Sequence, residues 1–356
     1  MVRPTTDTTD QPRAGRIALR HLRLPIGLAL SAVLFWLAYR HAGGRDVWAI
    51  FRERRLHFEI LVGVIVVDTV VLVMRSVKWH LILRPIKRVR VTNTFSAAAI
   101  GVMTNNLLPL RIDEVVRSYI LGRRERLPTA EVLGTVAVER SADMAVLLMA
   151  VVWATLMMRV PPQLAGAAPY VGAALAVGVV LMMTAAVAGK RIADRIRRLA
   201  RDGGRAVTER VAQACEDFAT AVRAFPRDWR LPAVLGLTVA EMALSVVVAW
   251  LTAATLDMHL PVNALVVVVL GGYASFAIPS SPGSIGVYES INVFALTTLY
   301  GVPDAEAGAY VLLLHAMLIV PSSIIGLACL WRERIGFGRL VREGRKRAPA
   351  AEGVEA

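Results

Sequence analysis

Apolar positions along the chain gather into runs of the length that crosses a bilayer, roughly 20 residues each. They fall at 24–39 (a short one), 59–77, 131–158, 168–188, 231–256 and 305–331. Six full crossings are expected from them. Two further stretches, 93–126 and 263–300, differ in that each consists of two shorter apolar arms around a break. The first break contains Asn105-Asn106-Leu107-Leu108-Pro109-Leu110-Arg111-Ile112, and the second Pro279-Ser280-Ser281-Pro282-Gly283-Ser284-Ile285-Gly286. Backbone that leaves the helix at membrane depth must find internal hydrogen-bond partners, so it is tolerated only where protein or a watery cavity surrounds it. Short arms around such a break suit a re-entrant hairpin. The expected fold is an all-α polytopic membrane protein with about six transmembrane helices and two re-entrant broken-helix hairpins.

The order span, broken segment, span occurs twice. Shifting the chain against itself by 173 residues brings Pro109 onto Pro282, Ile112 onto Ile285, and 59–77 onto 232–250. The halves, about 59–158 and 232–331, read as an inverted repeat, and paired interrupted segments are a pointer to a transport site. The same shift lays Asp68 on Glu241, each in the middle of an apolar run. An acid at bilayer depth costs about 2.5–3.5 kcal/mol unless it faces a cavity or partner. Both are therefore candidate proton or ion couplers; the competing reading has Thr69 or Ser245 satisfy them locally.

Composition agrees with the pattern: 56% of the 356 residues are hydrophobic and the mean hydropathy is +0.55. A formal charge of +14 could suggest nucleic acid, but no reading motif accompanies the basic residues, and no nucleic-acid partner is expected. They cluster beside spans, at 3–23, 75–90, 111–126, 190–230 and 332–347, whereas 161–169, 257–263 and 301–306 carry no Lys or Arg. The positive-inside rule then puts both termini in the cytoplasm. Arg45, Arg52, Arg54 and Arg55 would lie outside under this topology and are read as part of an interfacial helix. Residues 1–23 and 333–356 are expected to be disordered tails around a 24–332 membrane domain. The basic 190–230 stretch is read as a cytoplasmic amphipathic linker with Val207, Val211, Cys215, Phe218, Val222 and Phe225 on one stripe. Two cysteines make no disulfide framework, and a retained first span is favoured over a cleaved signal peptide.

Candidate chemistry sits at the breaks. Helix-prone Ser96–Met103 is expected to give way at Thr104, and Asn105, Asn106 and the freed backbone around Pro109 can cradle a polar headgroup. Arg111 and Arg117 suit phosphate, because a guanidinium offers a permanently charged fork, with Glu114 three residues from Arg117 to orient it. Surface arginines that only snorkel are the alternative, and that reading is preferred for Arg123, Arg124 and Arg126. Glu139, Arg140 and Asp143 interrupt an apolar span and should face the interior, as binding groups or as a structural ion-pair network. In the second break, Pro279, Pro282, Gly283 and Gly286 interrupt the helix while Ser280, Ser281 and Ser284 offer hydroxyls. A helix starting near Ser284 would aim its N-terminal dipole at an anion, with Glu289 one turn on. His315 is a further candidate proton carrier. There is no P-loop, zinc spacing or nucleophile elbow, so no cofactor, metal or enzymatic activity is expected.

Three motifs together resemble one family, the transmembrane region of bacterial lysylphosphatidylglycerol synthase and its flippase-like relatives. They are Asn105 to Arg117, Val138-Glu139-Arg140 with Asp143, and Pro282-Gly283-Ser284-Ile285-Gly286-Val287-Tyr288-Glu289. The likeness covers most of residues 25–332, and the family pattern has Gly where this chain has Asp113. It implies a bacterial inner-membrane protein that moves an amphipathic phospho- or aminoacylated lipid between leaflets, with an anionic or zwitterionic headgroup as ligand. In the full-length synthases a cytoplasmic aminoacyl-transfer domain follows. Here about 25 residues follow the last span, so a stand-alone module working with a separate lipid-modifying enzyme is expected. Two other readings stand beside it: a scaffold for a lipid synthase or glycosyltransferase, and a proton-coupled small-solute transporter.

Overall fold

The computed structural model describes residues 44–53, 56–108, 112–157, 228–277 and 282–333, with 173, 177, 194 and 195 besides. The apolar run at 24–39, nearly all of the 168–188 run and the 190–230 linker, and both tails lie outside the described residues. Among those described are nine helices and no strand: α1 Gly44–Glu53, α2 Phe58–Leu83, α3 Val91–Leu107, α4 Asp113–Glu125, α5 Thr129–Met157, α6 Arg230–Thr255, α7 Val262–Ala277, α8 Val287–Tyr300 and α9 Asp304–Arg332. Helices α2, α6 and α9 are long and apolar enough to cross a membrane. The 29-residue α5 has the length but carries Glu139, Arg140 and Asp143 mid-helix.

Two helix bounds differ from expectation. The run expected to stop at 77 continues as α2 to Leu83, because Trp79, Ile82 and Leu83 are buried and Lys78 finds partners inside the bundle. α3 does not give way at Thr104. It runs through Asn106 to Leu107 and ends where Leu108 turns extended, φ −112° and ψ 139°, the conformation a following proline imposes.

Helix lengths recur in order, 26, 17, 13 and 29 residues for α2–α5 and 26, 16, 14 and 29 for α6–α9. α2 packs along α6, and α3 along α9. One end of the bundle gathers the start of α2, the end of α6, the start of α7 and the start of α9 around Val64, Leu256, Leu265 and Ala307. The opposite end gathers the end of α2, the start of α5 and the end of α9 around Leu83, Val132 and Leu330. At this second end the two arms of the first broken segment meet, since Asn93 Nδ2 donates to Glu125 Oε1 at 2.5 Å. α1 closes the first end, with Val47 buried in its core.

Outward faces are apolar. Val62, Val66, Val70 and Val73 form an exposed stripe on α2, and Trp48, Trp229 and Trp331 are exposed near the two ends. A bilayer covers such a stripe and favours Trp at its interfaces. At the end of α4, Arg126 adopts φ 54° and ψ 44°, a left-handed conformation that costs a side-chain-bearing residue roughly 1 kcal/mol and glycine nothing. Arg126→Gly is expected to raise stability by up to about 1 kcal/mol, measured as a higher thermal midpoint in detergent.

Candidate functional site

A central cavity of about 230 Å³ lies where the two broken segments meet the long helices. Its polar wall is built by Asp68 and Arg75 of α2, Asn105 and Asn106 of α3, Asp113 and Arg117 of α4, Arg140 of α5, and Tyr273 and Tyr288. The turn Pro282–Ser284 closes on this junction. Gly283 has φ 63°, and a Cβ there would lie 3.0 Å from Ile319 Cδ1 and 3.4 Å from the Asn106 carbonyl oxygen. Only glycine suits both the backbone and the gap.

A chain of ion pairs, buried at Lys78, Glu241, Arg117 and Glu139 and half-buried at Arg140, backs the cavity. Lys78 is fully buried, and its ammonium donates to Asp143 Oδ1 at 2.7 Å and to Glu241 Oε2 at 2.9 Å. Arg140 donates to Glu114 Oε1 at 2.9 Å and Asp143 Oδ2 at 3.2 Å. Arg117 donates to Glu139 Oε2 at 2.8 Å and lies 5.0 Å from the centre of the Trp79 ring, whose Nε1 donates to Thr135 at 2.9 Å. Four cations, Arg75, Lys78, Arg117 and Arg140, thus meet four carboxylates, Glu114, Glu139, Asp143 and Glu241. Removing one charge from such a network leaves its partner stranded in a low-dielectric interior.

The balance is not complete at the atomic level. Arg75 Nε and Arg117 Nε and Nη2 are buried with no hydrogen-bond partner, as are Glu139 Oε1 and Glu241 Oε1. Arg75 approaches Glu241 only to 3.9 Å. Asp68 makes no hydrogen bond or ion pair among the described residues. Arg75, Arg117 and Asp68 all line the cavity, so it presents donors for an anion and an acid for a cation. Orphaned buried N–H groups of this kind are rare unless a ligand, ion or water meets them.

Several sequence expectations change in detail. Glu114 does not orient Arg117 but holds Arg140, because Glu139 of α5 lies closer to the Arg117 guanidinium. Neither Thr69 nor Ser245 satisfies the spanning acids: both hydroxyls donate to backbone carbonyls, of Ile65 and Glu241. Asp68 and Glu241 have different surroundings, one on the cavity wall and the other under Lys78. Asn106 donates to Ser322, Ser323 and, at 3.4 Å, the Ile319 carbonyl, in the turn of α9 where Pro321 removes a helix N–H. Asn105 faces the cavity.

In the second segment the helix starts at Val287, three residues later than expected near Ser284, because Pro282–Ser284 forms a separate turn and Gly286 takes φ 90°. Its N-terminus is already filled by a carboxyl group: Glu289 Oε2 accepts the Gly286 N–H at 2.6 Å, one arm of a capping box. Ser284 is buried. His315 pairs with Glu289 at 2.6 Å and stacks on Tyr288 at 4.1 Å. Pro109, Arg111, Pro279, Ser280 and Ser281 lie outside the described residues.

The sequence reading missed Arg75 and Lys78 by counting them with the basic loop at 75–90. Their signal was a deficit: Asp68, Glu139, Asp143 and Glu241 lie in spans, and with Arg75 assigned to the loop only Arg140 is left among the spans to balance these four acids. Leu81-Ile82-Leu83 also carried the apolar run past Lys78.

No curated protein and no solved structure matches the chain. The family model of the lysylphosphatidylglycerol synthase TM region, a family related to lipid metabolism, matches residues 25–326, from before α1 into the last turns of α9. With its long apolar helices, the chain is a multi-pass membrane protein belonging to that family.

Proposed function

We propose that the protein carries an amphipathic phospholipid between leaflets, with the headgroup passing through the central cavity. The observation that carries this reading is the set of orphaned guanidinium N–H groups of Arg75 and Arg117 on the cavity wall. They match phosphate oxygens, while Asp68 and Asp113 on the same cavity suit an ammonium. A zwitterionic or aminoacylated headgroup would satisfy both. The recurring helix lengths and the contact of α3 with α4 at the second end support two inverted halves with re-entrant broken segments, an arrangement known for secondary transporters. The charge-rich end would face the cytoplasm.

Arg75→Gln is the sharpest probe, since Arg75 contributes to the fold only a 3.9 Å approach to Glu241. In vesicles reconstituted with fluorescent phospholipid and read by quenching of the outer leaflet, exchange should fall about tenfold, the loss of one charge-assisted hydrogen bond. Unchanged exchange by a folded variant would remove the cavity from the route. Asp68 favours a second reading, proton-driven uptake of a water-soluble solute, because it stands on the cavity wall without a pairing cation at hydrogen-bond distance. Acid-driven accumulation of a solute, lost in Asp68→Asn while lipid exchange is absent, would select it.

A further inference from the structure

Glu289 and His315 form a buried pair that the proposed headgroup route does not use. His315 Nε2 lies 2.9 Å from the Gly283 carbonyl oxygen. A carbonyl only accepts, so Nε2 carries a hydrogen. His315 Nδ1 lies 2.6 Å from Glu289 Oε1. Either Nδ1–H donates to a carboxylate or a carboxylic acid donates to bare Nδ1; in both cases one proton occupies the gap. The pair therefore holds two protons, one more than a neutral imidazole beside an ionised carboxylate. Glu289 Oε2 is engaged by the Gly286 N–H, so both carboxyl oxygens and both ring nitrogens are used.

These bonds tie α9 to both sides of the second turn, through the Gly283 carbonyl and through the cap of α8. We propose that the second proton is a clamp: while it is bound the Pro282–Gly286 turn is fastened to α9, and its loss frees the turn and opens the junction of the two broken segments. Without it, either two lone pairs face each other between Nδ1 and Oε1, or a tautomer shift turns the Nε2 lone pair toward the Gly283 oxygen. One tie breaks in either case. A Cβ at Gly283 would meet Ile319 and the Asn106 carbonyl, and both residues line the cavity, so the freed turn is the one that borders it.

Few other groups can supply or take this proton. Tyr288 of α8 stacks on the His315 ring, and Tyr310 of α9 donates to the Ala249 carbonyl. The titratable and charged groups on the cavity are Asp68 and Arg75 of α2, Asp113 and Arg117 of α4, Arg140 of α5 and Tyr273 of α7; α3 and α6 place only the neutral Asn105, Asn106 and Ser245 on it. The inference rests on the translocation reading for its consequence, but not for its test.

Two measurements on the full-length protein in lipid vesicles test it. Nitrogen-15 spectra of histidine-labelled protein, assigned with His315→Gln, and infrared difference spectra against Glu289→Gln should find an imidazolium ring or a protonated Glu289 carboxyl. A singly protonated ring beside an ionised carboxylate overturns the proposal. Second, Asn105→Cys in a Cys215→Ser, Cys329→Ser background should react with a hydrophilic thiol reagent about tenfold faster, relative to free cysteine, once rising pH removes the proton; this is the ratio one buried hydrogen bond supports. His315→Gln and Glu289→Gln should flatten that dependence. Labelling that is pH-independent with the pair intact overturns the clamp. A second proton with pH-dependent labelling but no lipid exchange supports the clamp and removes the lipid reading; a one-proton pair with normal lipid exchange does the reverse.

Discussion

Lys78→Met is expected to cost about 3–5 kcal/mol, the penalty for stranding a buried charge, and to appear as a large drop in thermal midpoint and loss of monodisperse protein. Its two partners would not suffer equally. Asp143 keeps Arg140 at 3.2 Å, whereas Glu241 keeps only Arg75 at 3.9 Å and already has one oxygen without a hydrogen bond. Adding Glu241→Gln to Lys78→Met should therefore recover more stability than adding Asp143→Asn. Equal recovery would mean that the two acids share the ammonium's role evenly and that Arg140 does not compensate.

Gly326→Leu should separate α3 from α9. A Cβ at position 326 would lie 2.4 Å from Met103 Cβ and 2.6 Å from the Ala99 carbonyl oxygen, and Met103 is fully buried. Neither obstacle is the loose end of a side chain, so the helices themselves must part. Overpacking of this kind costs about 1–3 kcal/mol and sometimes more; even Gly326→Ala should lower the thermal midpoint. Gly236→Ala is the control, because nothing lies within 4 Å of its Cβ position, and alanine there should stabilise α6 by roughly 0.5–1 kcal/mol. If the two alanine variants behave alike, the close contact at Gly326 does not govern α3–α9 packing.

What the sequence made legible was the part governed by periodicity and by backbone chemistry. Long apolar runs placed α2, α5, α6 and α9, while Pro109 marked the first interruption and Pro279 and Pro282 with Gly283 and Gly286 marked the second. Interior charge pairing was less legible because partners come from different helices: Arg117 and Glu139 face each other only once α4 folds back on α5. Lys78 was hidden for a related reason. A cation near a span end reads as a flanking charge until the acids it must neutralise, on α5 and α6, are counted. The capped start of α8 was also out of reach, since a helix N-terminus in a sequence gives no sign that its own Glu289 already fills it.

Lys78 also carries a consequence for how the chain is made. Asp143 follows it by 65 residues and Glu241 by 163, so the ammonium enters the translocon long before its second acid has left the ribosome. Helices α2–α5 must shelter a half-neutralised cation on their own, through Asp143, while everything up to α6 is still being synthesised. Ribosome-bound nascent chains that end before Glu241 are therefore the ones in which quality-control proteases meet the least compensated form of this bundle.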